Sequence, residues 1–105
     1  MKNIKNLPEK SGIYKITNLI NGHSYIGQSK NIFKRFNFHH ICDYKNPNSS
    51  QYNTKLYQAF RKYGIDQFQV GILELCDISQ LDEKEIKYIK IFNTYKTGYN
   101  STPGG

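Results

Sequence analysis

Gly12-Ile13-Tyr14-Lys15-Ile16-Thr17-Asn18-Leu19-Ile20-Asn21-Gly22-His23-Ser24-Tyr25-Ile26-Gly27 is the stretch whose reading decides the fold. Residues 11–17 are rich in β-branched and aromatic side chains, which suit a pleated, half-buried strand. Asn21-Gly22 is a strong hairpin signal, because a type I′ turn needs positive φ at both central positions. His23 to Gly27 then reads as the return strand. A two-residue turn at Asn21-Gly22 pairs Tyr25 with Asn18. Asn18 shares a face with Ile16 and Tyr14, since side chains alternate along a strand. Both tyrosines are therefore expected on one face; a three-residue turn would separate them.

Downstream, Ser29 or Asn31 is expected to cap a basic helix running to about Ile41. Ile32, Phe33, Phe36 and the ring of His40 form its buried stripe. Arg35 and His39 are four residues apart and project from one side. Asn46-Pro47-Asn48-Ser49-Ser50 marks a loop. A second helix follows, capped by Asn53, striped by Leu56, Tyr57, Phe60 and Tyr63, and stopped at Gly64. Phe68, Val70 and Ile72 alternate as a third strand, with Leu73 and Leu75 on its other face. Ser79 and Asp82 approximate a capping box for a third helix through about Phe92. The order β-β-α-α-β-α implies an α+β domain with a small, mainly antiparallel sheet.

The 105 residues fit one domain, with residues 1–10 as a basic arm and 101–105 as a tail or truncated linker. A formal charge of +7 favours a polyanionic partner, nucleic acid first and an anionic membrane surface second. No apolar run approaches a membrane span and no secretory signal precedes Gly12. Cys42 and Cys76 form no CxxC pair, which suggests reduced thiols in an intracellular setting. Adjacent His39 and His40 point in different directions from a helix, which argues against a zinc site with those cysteines.

One carboxylate breaks the pattern of the third helix. At about 100° per residue, Leu81, Tyr88, Ile89 and Phe92 form one apolar side. Asp82, Glu83, Lys84, Lys87 and Lys90 lie away from its centre, but Glu85 falls inside it. Burying a lone carboxylate is costly unless it is paired or binds a metal. Glu85 thus needs a basic partner, solvent at the stripe's edge, or a cation.

In order and spacing these residues resemble the GIY-YIG nuclease signature. Gly12-Ile13-Tyr14 and Tyr25-Ile26-Gly27 are ten residues apart, Arg35 follows Tyr25 by ten, and His39 follows Arg35 by four. Asn53 with Lys62-Tyr63-Gly64 is similar to the family's second helix. Glu85-Ile86-Lys87-Tyr88-Ile89 is similar to its metal-binding motif, and Gly98-Tyr99-Asn100 to its closing motif. The resemblance spans residues 11–100. It implies a three-stranded antiparallel sheet flanked by helices, and a metal-dependent DNA endonuclease of the homing or phage type.

The implied catalytic residues are Tyr14, Tyr25, Arg35, His39, Glu85 and Asn100. Glu85 would hold one divalent cation, Mg²⁺ first and Mn²⁺ second, since a hard carboxylate suits a hard ion. Glu74, near the end of the third strand, is the only spare candidate for a metal ligand. Arg35 would bind a phosphate oxygen through its planar fork. Tyr14 would orient or deprotonate the attacking water, with the metal and Arg35 lowering its pKa and His39 taking the proton. Tyr25 would hydrogen-bond the phosphate or the water, and Asn100 would fix the site from the tail. Gly12 and Gly27 would permit close backbone approach. Lys30, Lys34, Lys55, Arg61 and Lys62 are the expected phosphate contacts. Gln51 and Tyr52 stand where many family members carry another polar or basic residue, and receive no catalytic role. The implied partner is double-stranded DNA, with a separate DNA-targeting domain beyond this one. A catalytically silent nucleic-acid-binding module on the same fold is the alternative; the presence of all six residues argues against it.

Overall fold

The computed structural model describes residues 1–104. Three antiparallel strands, β1 (Gly12–Asn18), β2 (Ser24–Ser29) and β3 (Phe68–Leu75), form one sheet in the order β2-β1-β3. Helix α1 (residues 32–43) and helix α2 (Lys55–Tyr63) cover one face. Helix α3 (Leu81–Phe92) covers the other, and a one-turn α4 (Thr94–Thr97) leads into the tail. The expected α+β architecture and element order are observed.

Central β1 is buried on both faces. Tyr14 and Ile16 join Phe36, Tyr57, Phe60 and Phe68 in the larger core. Ile13 joins Ile26, Leu81 and Ile89 in the smaller one. This burial of apolar area on both faces is the main force holding the layers together.

The hairpin differs from the expected one. Tyr25 pairs with Ile16 rather than Asn18, and Tyr14 pairs with Gly27. The connection is wider: the Asn18 amide donates to His23 O, and the Gly22 amide to Asn18 O. Only Gly22 takes positive φ, so the turn is not type I′. The register moves by two residues, which preserves the face, and both tyrosines still share the α1/α2 side.

Both motif glycines have steric reasons. A Cβ at Gly27 would overlap the end of the Tyr14 ring, which crosses that strand. A Cβ at Gly12 would come within 2.5 Å of the Glu74 carbonyl, where β1 and β3 shift register between Ile13 and Tyr14.

Two helix starts also differ from expectation. Thr54, not Asn53, caps α2, its hydroxyl accepting from the Tyr57 amide at 3.3 Å. No capping box opens α3; a single 3₁₀ turn, Ile78–Gln80, feeds it instead. Asn31 caps α1 by accepting from the Lys34 amide at 3.0 Å, and Gly64, at φ 90°, ends α2 as expected.

Chain termini cover the sheet edges. The Lys2 amide donates to Phe68 O, and the Val70 amide to Lys2 O, so the arm lies along β3. At the β2 edge Asn100 acts as a strand partner. Its Oδ1 accepts from the Ile26 amide at 2.9 Å and its Nδ2 donates to Ile26 O at 2.8 Å. An uncovered edge would leave these groups unpaired. Asn100→Ala is expected to cost about 1–3 kcal/mol of stability, the range for orphaned buried polar groups. Urea denaturation of the wild type and variant checks this.

Candidate active site

Tyr14 is fully buried, and its hydroxyl lies 2.9 Å from His40 Nε2. His40 Nδ1 lies 3.1 Å from the hydroxyl of Tyr57 on α2. One strand and two helices therefore meet through a single imidazole. Phe36 packs against both Tyr14 and His40, with ring centroids 4.7 and 5.0 Å away. Burial, and then the charge of Arg35, push the His40 pKa well below its ordinary value, so the ring is neutral. A neutral imidazole donates from one nitrogen and accepts at the other, which matches one tyrosine hydroxyl on each side.

His39, the sequence candidate, does not occupy this place. It is exposed and lines a recess of about 400 Å³ with Lys30, Lys34 and Arg35. The helix is α-wound at Ile32–Lys34, π-wound at Arg35–His40 and α-wound again at Ile41–Asp43. A turn closed by i→i+5 bonds holds about one residue more than an α-turn. The fifth residue after Arg35 thus comes round to the side that the fourth would take in an α-helix. The sequence places His40 in the buried stripe, but treats it as apolar packing. The two hydroxyls awaiting it are supplied by distant segments.

Arg35 sits between the buried cluster and the surface. One terminal nitrogen donates to Gln51 Oε1 at 3.4 Å. Its Nε is buried without a hydrogen-bond partner, one of two such side-chain atoms among the described residues, with the Thr94 hydroxyl. Burial opposes the guanidinium charge, but Tyr14 and Tyr25 more than offset this and hold its pKa above the ordinary value.

Tyr25 is only half-buried, its ring 6.3 Å from that of Tyr14. It faces a cavity of about 270 Å³ shared with Gln51, Glu85, Tyr99 and Asn100. Glu85 comes from α3, on the other side of the sheet, and lines this cavity together with Tyr25. Glu85 is half-buried and electrostatically coupled to Tyr25. Burial chiefly raises the Tyr25 pKa, Glu85 adds to the rise, and Arg35 opposes it. Tyr14 is raised further, by burial first and Tyr25 second, against the pull of Arg35. Arg35 pulls Tyr14 in the expected direction, but with the protein groups alone desolvation wins because the phenol has no solvent contact.

Other expected groups divide clearly. Glu74 is engaged elsewhere, 3.1 Å from Lys84 Nζ and 2.8 Å from the Tyr88 hydroxyl. Arg61 is turned inward: its terminal nitrogens donate to Tyr44 O and Tyr52 O, each at 2.7 Å, and it stacks on Tyr52. It clamps the loop before α2 and leaves no free fork for phosphate. Lys30 and Lys34 flank Arg35, whereas Lys55 and Lys62 line a different groove. Gln51, His40 and Tyr57 are the residues around Arg35 and Tyr14 to which the sequence assigns no catalytic role.

A family model of the GIY-YIG catalytic domain matches residues 10–100. The chain belongs to the GIY-YIG family. It is 37% identical over 93 residues to Intron-associated endonuclease 1 of Enterobacteria phage T4, covering 87% of this chain and 36% of that protein. It is 35% identical over 94 residues to Probable intron-encoded endonuclease 1 of Neurospora crassa, covering 83% of this chain and 29% of that protein. The chain thus spans about a third of the length of these relatives. The catalytic domain of homing endonuclease I-TevI superposes with a TM-score of 0.76 at 34% identity, covering 89% of this chain and 99% of that domain. The N-terminal endonuclease domain of UvrC from Thermotoga maritima shares the fold, with a TM-score of 0.53 at 22% identity over 94% of this chain and 92% of that one.

The buried imidazole makes stability pH-dependent. An unfolded histidine binds a proton below about pH 6.5, while His40 in the fold stays neutral to much lower pH. Between those values the unfolded state holds more protons, so stability falls as pH drops from about 6.5. Urea midpoints at pH 7.5 and pH 5 are expected to differ in the wild type. In His40→Gln the difference is expected to shrink, on a lower overall stability.

Proposed function

We propose that this chain is the catalytic domain of a metal-dependent DNA endonuclease. The observation that carries the reading is the Arg35 guanidinium, whose Nε lacks a hydrogen-bond partner, joined through Gln51 to the cavity lined by Tyr25 and Glu85. A buried donor without an acceptor is costly, and a phosphate oxygen would satisfy it. The relatives named as endonucleases and the I-TevI catalytic domain support the reading.

The donor set fits one hard cation. Among the described residues no group of three His, Cys, Asp or Glu side chains could hold a metal. A single carboxylate completed by water and substrate phosphate suits Mg²⁺, which keeps several waters and takes few protein ligands. The UvrC domain has been solved with magnesium as its catalytic divalent cation. Glu85 is the residue that would hold the ion, Mg²⁺ or in its place Mn²⁺. When bound, it would neutralise charge at the scissile phosphate and at the departing oxygen.

The protein groups then divide the remaining work. Arg35 binds a non-bridging phosphate oxygen through Nε and a terminal nitrogen. Tyr25, the tyrosine that faces the cavity, meets the attacking water; Tyr14 is enclosed and works behind it. Burial and Glu85 outweigh Arg35 and keep Tyr25 a neutral phenol, so Tyr25 orients the water by hydrogen bonding. Tyr14 holds its ring against Tyr25 and Phe36, and is itself held by neutral His40. Asn100 is a positioning residue: its bonds to Ile26 fix the strand segment beside Tyr25. His39 contributes to the basic recess around Lys30 and Lys34.

The partner in this reading is double-stranded DNA, and the place of action is the compartment that holds it. No helix among the described residues is long and apolar enough to cross a membrane. Residues 1–105 form one catalytic unit, and a separate segment would supply target selection, in keeping with the greater length of the relatives.

Supercoiled plasmid tests the proposal. Nicked or linear product is expected with Mg²⁺ and not in chelator. Glu85→Ala and Arg35→Ala are each expected to lower the rate roughly 100-fold or more, the scale for removing one transition-state charge contact. His39→Ala is expected to be much milder than His40→Gln, with circular dichroism confirming the fold of each. Cleavage in chelator, or at full rate by Glu85→Ala, would overturn the cation assignment.

A further inference from the structure

The catalytic cavity adjoins two basic depressions. One is the recess that holds Lys30, Lys34 and Arg35, joined to the cavity by the Arg35–Gln51 contact. The other is an open groove of about 820 Å³ between α2 and α4. Tyr99 lines both this groove and the cavity, while the two basic depressions have no lining residue in common. The carboxylate-bearing cavity therefore adjoins both depressions, one through Tyr99 and the other through the Arg35–Gln51 contact.

Lys55, Lys62 and Lys96 line the groove with His23, and no acidic side chain does. All three lysines are exposed, and none forms an ion pair among the described residues. Lys55 and Lys62 are seven residues apart on α2, so they share a face and are separated by about 10.5 Å along the axis. That is the axial length of about three base pairs. The dividing wall is held firmly: the Tyr99 hydroxyl accepts from Asn18 Nδ2 at 3.0 Å and from Asn21 Nδ2 at 3.4 Å. The one-turn helix carrying Lys96 is anchored to the sheet by the Tyr99 amide donating to Ser24 O.

We propose that this groove is a second backbone subsite, in which Lys55, Lys62 and Lys96 hold phosphates of the DNA on one side of the scissile bond. The recess around Lys30 and Lys34 serves the other side. The inference rests on the nuclease reading and extends it to residues of α2 and α4. Contacts of this kind fix the register of the duplex without reading its sequence. They also release counterions, so each contributes to the salt dependence of binding.

The test uses the whole chain, a fluorescein-labelled 30-base-pair duplex in chelator, and anisotropy from 50 to 200 mM NaCl. The slope of log K against log salt is expected to shrink by between two and three in Lys55→Gln/Lys62→Gln/Lys96→Gln, about 0.9 for each phosphate no longer neutralised. Lys87→Gln/Lys90→Gln, on the exposed face of α3, is expected to keep the wild-type slope. An unchanged slope in the triple variant overturns the subsite. So does an equal loss per residue in the α3 control, which would assign the effect to net charge alone. Plasmid cleavage by the wild type separates the two levels. Cleavage with an unchanged triple-variant slope removes the groove and leaves the nuclease. A groove-dependent slope without cleavage removes the nuclease and leaves the groove as a nucleic-acid site.

Discussion

A neutral imidazole shared by two buried tyrosine hydroxyls is the constraint on which the rest of the structure depends. In a low-dielectric core a polar group must be fully satisfied or it is costly, and a satisfied network permits few alternative arrangements. His40 has one such arrangement, with Tyr14 of β1 on one nitrogen and Tyr57 of α2 on the other. This fixes α1 relative to the sheet and to α2. It also fixes the π-wound turn, because Arg35 and His40 must both face the tyrosines. Apolar packing alone would tolerate small rotations of α1; this bonding pattern does not.

From that anchor the chemistry is arranged outward in order of polarity. Tyr14 and His40 are enclosed, Tyr25 and Arg35 stand at the boundary, and Glu85 faces the cavity. The gradient decides the roles of the two tyrosines. Desolvation raises both and Arg35 opposes it at both, but only Tyr25 keeps solvent access. A base or water-orienting group must touch water, so the accessible tyrosine is better suited to the task than the enclosed one. The sequence offers two tyrosines on one face; only burial distinguishes them.

What was legible in the chain follows from periodicity, and what was not follows from contacts between distant segments. The shared face of Tyr14 and Tyr25 survived an incorrect turn because side-chain parity depends on register modulo two. Glu85 stood out because it lies in an apolar stripe, a local signal. Arg61 showed no such signal: an Arg on a helix reads as surface charge, and only the loop from Tyr44 to Tyr52 explains its inward turn. The choice between His39 and His40 was likewise closed to helical spacing, since α-periodicity assumes the winding that the site abandons. A π-turn costs regular hydrogen bonding and persists where surrounding contacts compensate. Here those contacts come from residues 14 and 57, one upstream and one downstream of the helix.

The same polar bookkeeping sets Arg35 apart, with an unsatisfied nitrogen in an otherwise well-bonded interior. Asn18 donates to Tyr99 and accepts from the Ile20 amide, Asn100 bonds Ile26 twice, and His40 uses both ring nitrogens. Against that background the Nε of Arg35 and the Thr94 hydroxyl are the two exceptions among the described residues, and only the arginine carries a charge. A fold selected only for stability would place a carbonyl or carboxylate there. A fixed carboxylate at that point would neutralise the guanidinium and compete with an incoming phosphate. Glu85 instead lines the cavity, carried by the opposite layer of the structure. With the acid in the cavity and the arginine in the adjoining recess, the two charges can take the opposite partners of the proposed reaction, a cation and a phosphate.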